Sequence, residues 1–317
     1  MAAAPRHLLL CATRKAAAAL SELVEAWRSA SVRVELEYFT GATPDVAALV
    51  GEHDTLDAAL LVSWARRAPG TVLPAPLVRR RDGARVPIAW LPFRDTASLH
   101  RFAATAARVQ RRAGNRRAVA LLGQWLPNYL RVSDRMRWLA HEGGVRAFRW
   151  TGDAITRESM IDALGCGLGL GLYVGHGRPM GWVGYHGVRA HHFHEPEPGI
   201  ARRSTREPMG AILSLCCRTA SRKRVGMSYA ESLPLLGVAA ASFGAVRDTL
   251  HSDNTRWAVG VCSALAAGAS TVGDLLVRAA PASPTALESY RLIGDPLAPL
   301  GTDERSLRRA QRVRTYA

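Results

Sequence analysis

Two short segments carry the residue types that nucleophilic chemistry needs. The first is Tyr173-Val174-Gly175-His176-Gly177, and the second is Leu213-Ser214-Leu215-Cys216-Cys217-Arg218-Thr219. Each is an apolar run of strand length that ends in a reactive side chain. An imidazole and a thiol facing one crevice are the minimum for acyl transfer through a covalent intermediate. Gly175 and Gly177 would let the main chain approach a substrate closely. The backbone amides of Gly177 and Cys217 would be donors for a developing oxyanion. From the residues alone a structural alternative stays open: the histidine closes a strand end and both thiols are packed as small hydrophobes.

The surrounding pattern supplies the elements to position them. Strand-like runs at 7–13, 32–39, 57–63 and 86–91 alternate with helical periodicity at 15–30 and 96–112. The basic, Gly-containing stretch 111–117 reads as a boundary, which gives an N-terminal α/β subdomain over 1–112 and a second unit over 118–317. In the second unit strands are expected at 118–122, 145–150, 168–174, 211–215 and 238–243. Helices are expected at 129–142, 156–164 and 228–236, with a mostly helical remainder. Such alternation with short connections implies an α/β fold with a doubly wound, mostly parallel sheet flanked by helices. Active sites in such sheets lie at the carboxyl ends of strands, where His176 and Cys217 fall. The Pro- and His-containing stretch 179–208 reads as a long loop bordering that site, with Arg202, Arg203 and Arg206 as proteolysis points.

Composition narrows the classes. The chain has 317 residues, 48% hydrophobic and 21% charged, which suits a sizeable core and excludes wholesale disorder. The net charge is +16, carried almost wholly by arginine, and residues 111–317 hold 28 basic against 16 acidic side chains. That excess keeps a second class open: a non-catalytic or regulatory module that binds protein or nucleic acid. Five cysteines without regular spacing do not form a disulfide framework and suit a reducing, cytoplasmic setting. No run is long and apolar enough to span a bilayer, and the N-terminus lacks the pattern of a signal peptide.

Other motifs are read in structural terms. Gly165, Gly167, Gly169 and Gly171 enter a strand and do not join strand to helix, so they are attributed to close packing of a helix on the sheet and not to a phosphate loop. His191-His192-Phe193-His194-Glu195 lacks further spaced ligands, and no metal site is assigned. Arg222-Lys223-Arg224 reads as a solvated charge run. Trp182 and Tyr185, just after the histidine, are candidates for a pocket wall or for the core.

Several motifs in order resemble the caspase-like cysteine peptidases of clan CD, closest to the gingipain family and the related CHAT domains. They are Gly175-His176-Gly177, Leu213–Thr219, and Ser228-Tyr229-Ala230-Glu231-Ser232-Leu233 with the strand that follows it. Thr271-Val272-Gly273-Asp274-Leu275-Leu276 and Tyr290-Arg291-Leu292-Ile293-Gly294-Asp295-Pro296 complete the series. The resemblance implies a caspase-like fold preceded by a smaller α/β subdomain, and a bacterial cysteine endopeptidase that needs no cofactor. It implies a protein or peptide substrate, with a regulatory protein partner open. His176 would be the catalytic histidine and Cys217 the nucleophile, with Cys216 the alternative if the motif is read one residue earlier. Ala220 stands where the family pattern has glycine. The substrate pocket would draw on 123–128, 178–185 and 244–249, which include Trp182, Tyr185, Arg178 and Asp248. An inward Asp248 would favour a cationic P1 side chain, toward which the resemblance leans. An inward Arg178 or Arg247 would favour an acidic one.

Overall fold

Strands buried on both faces organise the chain. In the computed structural model, which describes residues 6–64, 75–112, 114–193 and 206–315, the chain opens with β1 (Arg6–Ala12), α1 (Arg14–Ala19), α2 (Ser21–Ser29) and β2 (Val32–Tyr38). It continues through α3 (Val46–Glu52), β3 (Ala58–Trp64), β4 (Leu77–Arg79), β5 (Arg85–Phe93) and α4 (Thr96–Arg111). The second half holds β6 (Arg116–Gly123), α5 (Pro127–Glu142), β7 (Arg146–Thr151), α6 (Arg157–Leu164) and β8 (Leu170–Val174). Three two-residue strands follow, β9 (Gly177–Arg178), β10 (Gly181–Trp182) and β11 (Val188–Arg189). The remainder is β12 (Met209–Leu215), α7 (Tyr229–Leu235), β13 (Ala239–Ala245), α8 (His251–Ala266), α9 (Val272–Ala279), β14 (Tyr290–Gly294), β15 (Gly301–Thr302) and α10 (Glu304–Gln311).

Twelve of these strands form one sheet in the order β15-β6-β8-β12-β13-β14-β5-β3-β1-β2, with β7 also on β6 and β4 on β5. All pairs are parallel except β13–β14, β4–β5 and β6–β15. Central strands such as β8, β12 and β13 are buried along their whole length, as a parallel strand covered by helices on both faces requires. The edge strand β2 carries Arg33, Glu35 and Glu37 and is largely open to solvent. The chain runs from β6 to β7 on one side and then crosses to β8 on the other. The loops after β6 and β8 therefore diverge, and a crevice opens at their carboxyl ends.

The sheet continues across the boundary at 112–118. Parallel β14 pairs with β5 through Leu292↔Ala89 and Ile293↔Trp90, and α4 packs on β13 and α7. β14 lies in a segment expected to be mostly helical. Its five residues are too few for sequence periodicity to show, and its place between two strands is decided by tertiary pairing. The Gly-Asp-Pro that follows it locks the halves together. The buried Asp295 carboxylate accepts hydrogen bonds from Trp27 Nε1 of α2 (3.3 Å), Gln110 Nε2 of α4 (2.7 Å) and Leu297 N (2.9 Å).

Other stretches differ from what their sequence suggests. The helix at 15–30 is two helices meeting at Leu20, and α3 and β4 lie in stretches where no element was expected. In the described part of the loop after the histidine, β9, β10 and β11 form a small antiparallel sheet. Arg206, near one expected cleavage point, has its guanidinium on Asp162 at 3.1 Å and its carbonyl bonded by Arg108, whereas Arg202 and Arg203 lie outside the described residues. Gly169 serves the backbone of another segment and not a helix. A Cβ there would fall on the carbonyl of Leu300, and one on Gly210 would lie 2.4 Å from the carbonyl oxygens of Gly169 and Pro299.

Candidate active site

The register of β8 on β12 brings the two motifs together. Val174 pairs with Leu215 and Tyr173 with Ser214, so His176 and Cys217 stand equally far beyond the ends of neighbouring strands. Contact between the two turns is direct. A Cβ on Gly177 would lie 2.5 Å from the Cys217 carbonyl oxygen and 2.6 Å from Cys216 Sγ. A Cβ on Gly175 would strike the Tyr173 hydroxyl and sit 3.0 Å from Gln124 Cβ. Both glycines are thus required by the approach of this chain's own atoms.

Helix α7 fixes both turns. Ser228 and Glu231 form a reciprocal capping box that starts the helix. Its next two free amides reach outward: Tyr229 N donates to Pro179 O and Ala230 N to Thr219 O, each at 2.9 Å. One bond holds the loop after His176 and the other the turn after Cys217. Glu231 is fully buried and meets Arg222 at 2.8 Å, while Arg222 also lies 4.8 Å over the Trp90 ring. Arg222 therefore belongs to the scaffold and not to a solvated charge run, although Lys223 and Arg224 are exposed.

The two cysteines differ sharply. Cys216 is fully buried, and burial pushes its thiol well above the ordinary range, against a small opposing contribution from Thr219. Cys217 is half-buried, and its Sγ accepts a hydrogen bond from Thr249 N at 3.4 Å. Cys11, Cys166 and Cys262 are buried like Cys216, so Cys217 is the one cysteine of the five that is not buried. Arg218, the next residue, adopts a left-handed conformation at φ 59° and bonds its amide to Arg247 O.

His176 is exposed, and its main chain is held on two sides. Its amide donates to Gln124 Oε1 at 2.9 Å, and its carbonyl accepts from Tyr173 Oη at 3.0 Å. Its ring faces Tyr129 of α5 edge-on, with centroids 5.5 Å apart and Nε2 3.5 Å from the phenol oxygen. The same Tyr129 ring meets His251 of α8 at 5.2 Å. The Tyr129 hydroxyl is raised above its ordinary range, first by burial and then by the neighbouring Cys217 and Cys216 sulfurs, which ties it to both motifs. Helices α5 and α8 start at this edge of the sheet with Leu126 and Leu250 as their N-caps, and neither has a side-chain cap. Their positive ends favour negative charge nearby.

The residues expected around a substrate pocket divide. Trp182 and Tyr185 are buried. Trp182 stacks on Tyr173 at 4.4 Å and donates to Ser214 Oγ. The Tyr185 hydroxyl bonds Trp150 O and accepts from Gly123 N. Both are packed into the core behind the strand ends, since an amphipathic ring buries its face once its polar atom has a partner. Asp248 is exposed and paired with Arg218, so it is not an inward acid waiting for a cation. Arg178 is exposed, and Arg247 is turned to Ser289 Oγ at 2.8 Å. Four large apolar side chains are exposed on this edge: Trp125 and Leu126 after β6, Met180 in the turn after β9, and Leu250 after β13. Among the described residues no cluster of His, Cys, Asp and Glu could hold a metal. His194 and Glu195 lie outside them. Gln124, Tyr129 and Thr249 were not expected individually. Gln124 and Thr249 lie in the loops after β6 and β13 that were expected to border the site, and Tyr129 opens a helix whose start follows one of them.

Comparison with known proteins decides the family. The model of peptidase family C25 matches residues 98–301, well over half the chain. The chain belongs to peptidase family C25. It is a cysteine peptidase with a caspase-like fold. The crystal structure of the Arg-specific cysteine proteinase gingipain R superposes with a TM-score of 0.73 at 15% identity, covering 94% of this chain and 79% of that one. The Porphyromonas gingivalis RgpB pro- and mature-domain complex gives 0.71 at 14% identity, covering 92% and 79%. A structure described only as a protease gives 0.66 at 13%, covering 93% and 78%. At these identities the superpositions establish the fold. No curated protein sequence matches the chain. Among the described residues of this C25 chain, no helix is long and apolar enough to cross a membrane.

Proposed function

We propose that this C25 peptidase is an endopeptidase in which Cys217 is the nucleophile and His176 the general acid and base. The observation that carries this reading is the burial contrast: the one cysteine of five that is not buried stands at the end of β12, next to β8, whose end carries His176. In acylation the Cys217 proton passes to His176 and the sulfur bonds the scissile carbonyl carbon. The C–N bond then breaks as His176 returns the proton to the leaving amine. Water, deprotonated by His176, next attacks the thioester and releases the acid and the thiol. The amides of Gly177 and Cys217 are the proposed oxyanion donors. No organic cofactor or metal enters these steps. Cys216, fully buried beneath Gly177, is assigned to packing.

The P1 side chain is proposed to be uncharged and apolar. A cationic P1 would have to displace Arg218 from Asp248, whereas Trp125, Leu126, Met180 and Leu250 offer apolar surface around the crevice. Gingipain R is an Arg-specific enzyme. We propose that this chain departs from that preference. The two subdomains, 1–112 and 118–317, are read as one folding unit through the β5–β14 pair and Asp295. Free thiols throughout suit a cytoplasmic setting. Basic side chains of the second half such as Arg149, Arg206 and Arg278 face carboxylates, so they favour a folded scaffold over nucleic-acid binding. A peptide-library cleavage profile tests the reading. Cleavage by the wild type and none by Cys217→Ala or His176→Ala is expected, and turnover by either variant at the wild-type rate would overturn it.

A further inference from the structure

The Cys217 sulfur has a polar partner that the dyad chemistry does not use. Thr249, in the turn between β13 and α8, surrounds Sγ with three groups: its amide at 3.4 Å, its carbonyl oxygen at 3.6 Å and its hydroxyl oxygen at 3.7 Å. The carbonyl can only accept, so it receives the thiol proton. The amide can only donate. The role of the hydroxyl is set by what lies behind it. Asn254 Nδ2, in the first turn of α8, donates to Thr249 Oγ1 at 3.0 Å, and Asn254 Oδ1 accepts from the Tyr290 hydroxyl. With its oxygen already accepting from Asn254, the Thr249 hydroxyl can give its own proton to the sulfur or to the Tyr290 oxygen, and a thiolate is the stronger acceptor of the two.

The relay is rigid and dry. Asn254 is 6% exposed and Tyr290 not at all. The Tyr290 ring stacks on Phe243 at 4.7 Å, with planes 3° apart. A buried amide is costly unless both its ends are paired, and here both are. Burial also holds the Tyr290 hydroxyl well above its ordinary range, so it stays protonated and keeps donating. We propose that Thr249, aligned by Asn254 and Tyr290, is the positioning residue of Cys217: it holds the sulfur by three contacts as a thiol and by two donors once the proton has left.

This rests on Cys217 being the nucleophile, and it adds a second source of readiness besides His176. The other titratable and charged groups around Cys217 are His176 after β8, Tyr129 on α5, and Cys216 and Arg218 on its own turn. Arg247 and Asp248 lie after β13, His251 and Asp253 on α8, and Tyr290 on β14. Of these, Arg218 and Asp248 are paired with each other.

The test is the pH dependence of Cys217 alkylation by iodoacetamide, which the four buried thiols do not obscure. Thr249→Val removes the hydroxyl and keeps the amide and the shape. Its alkylation below neutrality is expected to be about tenfold slower, with the profile displaced to higher pH by about one unit, the worth of one charge-assisted hydrogen bond. Thr249→Ser should restore the wild-type profile, and Tyr290→Phe should give a smaller displacement in the same direction. With peptide substrate, Thr249→Val should lower kcat and leave KM in place. A Thr249→Val profile superimposable on the wild type, or a Thr249→Ser profile no better than Thr249→Val, would overturn the proposal. If Thr249→Val fails to fold, Tyr290→Phe decides: an unchanged profile overturns it. The alkylation readout needs no substrate. A wild type that alkylates as expected but cleaves nothing would overturn the peptidase reading alone.

Discussion

Replacing Gly177 by alanine tests whether the two turns act as one unit. The added Cβ would lie 2.5 Å from the Cys217 carbonyl oxygen and 2.6 Å from Cys216 Sγ, with Thr219 Cγ2 at 3.1 Å on a third side. Restoring an ordinary contact of about 3.5 Å needs a displacement of roughly 1 Å between the turns. Neither side yields easily. The loop after His176 is pinned through Pro179 O to Tyr229 N, and the turn after Cys217 through Thr219 O to Ala230 N. The turns must therefore separate or the strand ends must shift. Overpacking of this kind costs about 1–3 kcal/mol of stability. A displacement of about 1 Å at reacting groups costs about a hundredfold in rate. The assay is kcat/KM on a fluorogenic peptide, paired with urea denaturation of the same sample. A drop of about a hundredfold in kcat/KM by a protein that still unfolds cooperatively is expected. Activity within about threefold of wild type would show that the contact between the turns does not position the reacting groups, and the reasoning would fail.

Three other outcomes follow from particular residues. Burial raises the Asp295 carboxyl from 3.8 to about 6, so the folded state holds a proton the unfolded state has lost between those values. Stability from this group is present below about pH 4 and falls by about 3 kcal/mol as pH rises through 6. Thermal melts across that range should show the decline, and Asp295→Asn should flatten it. Cys216→Ala should lower stability by about 1–2 kcal/mol while keeping turnover, since a buried sulfur is lost from packing and not from chemistry. Loss of turnover in that variant would move the nucleophile one residue earlier. Finally, matched peptides should be cut faster at Leu than at Arg in P1, and Arg218→Ala should raise the Arg rate by freeing Asp248. An Arg preference in the wild type would contradict the apolar pocket.

The legible parts of the fold are those in which local pattern and tertiary role agree. β8, β12 and β13 are continuous apolar runs because both their faces are covered, and such runs stand out in the sequence. The capping box Ser228–Glu231 is likewise local chemistry, readable at its spacing. β14 was hidden because five residues carry too little periodicity, and only its neighbours β13 and β5 make it a strand. At the site, the strand-end positions of His176 and Cys217 were visible from the alternation. The burial that separates Cys216 from Cys217 was not, since it depends on neighbours far off in sequence, Gly177 against the Cys216 sulfur and Thr249 against that of Cys217. Trp182 and Tyr185 were ambiguous for the same reason: an aromatic after a histidine walls a pocket or fills a core according to partners such as Ser214 and Trp150, which lie far away in sequence.

Cys217 is proposed as the nucleophile, activated by His176. A peptidyl acyloxymethyl ketone, which traps the attacking thiolate of a cysteine peptidase as a stable thioether, followed by peptide mapping in a mass spectrometer, tests this directly. The expected result is a single adduct on Cys217, formed far more slowly in His176→Ala and absent in Cys217→Ala. An adduct on Cys216, or labelling of Cys217 at an equal rate in His176→Ala, would contradict it.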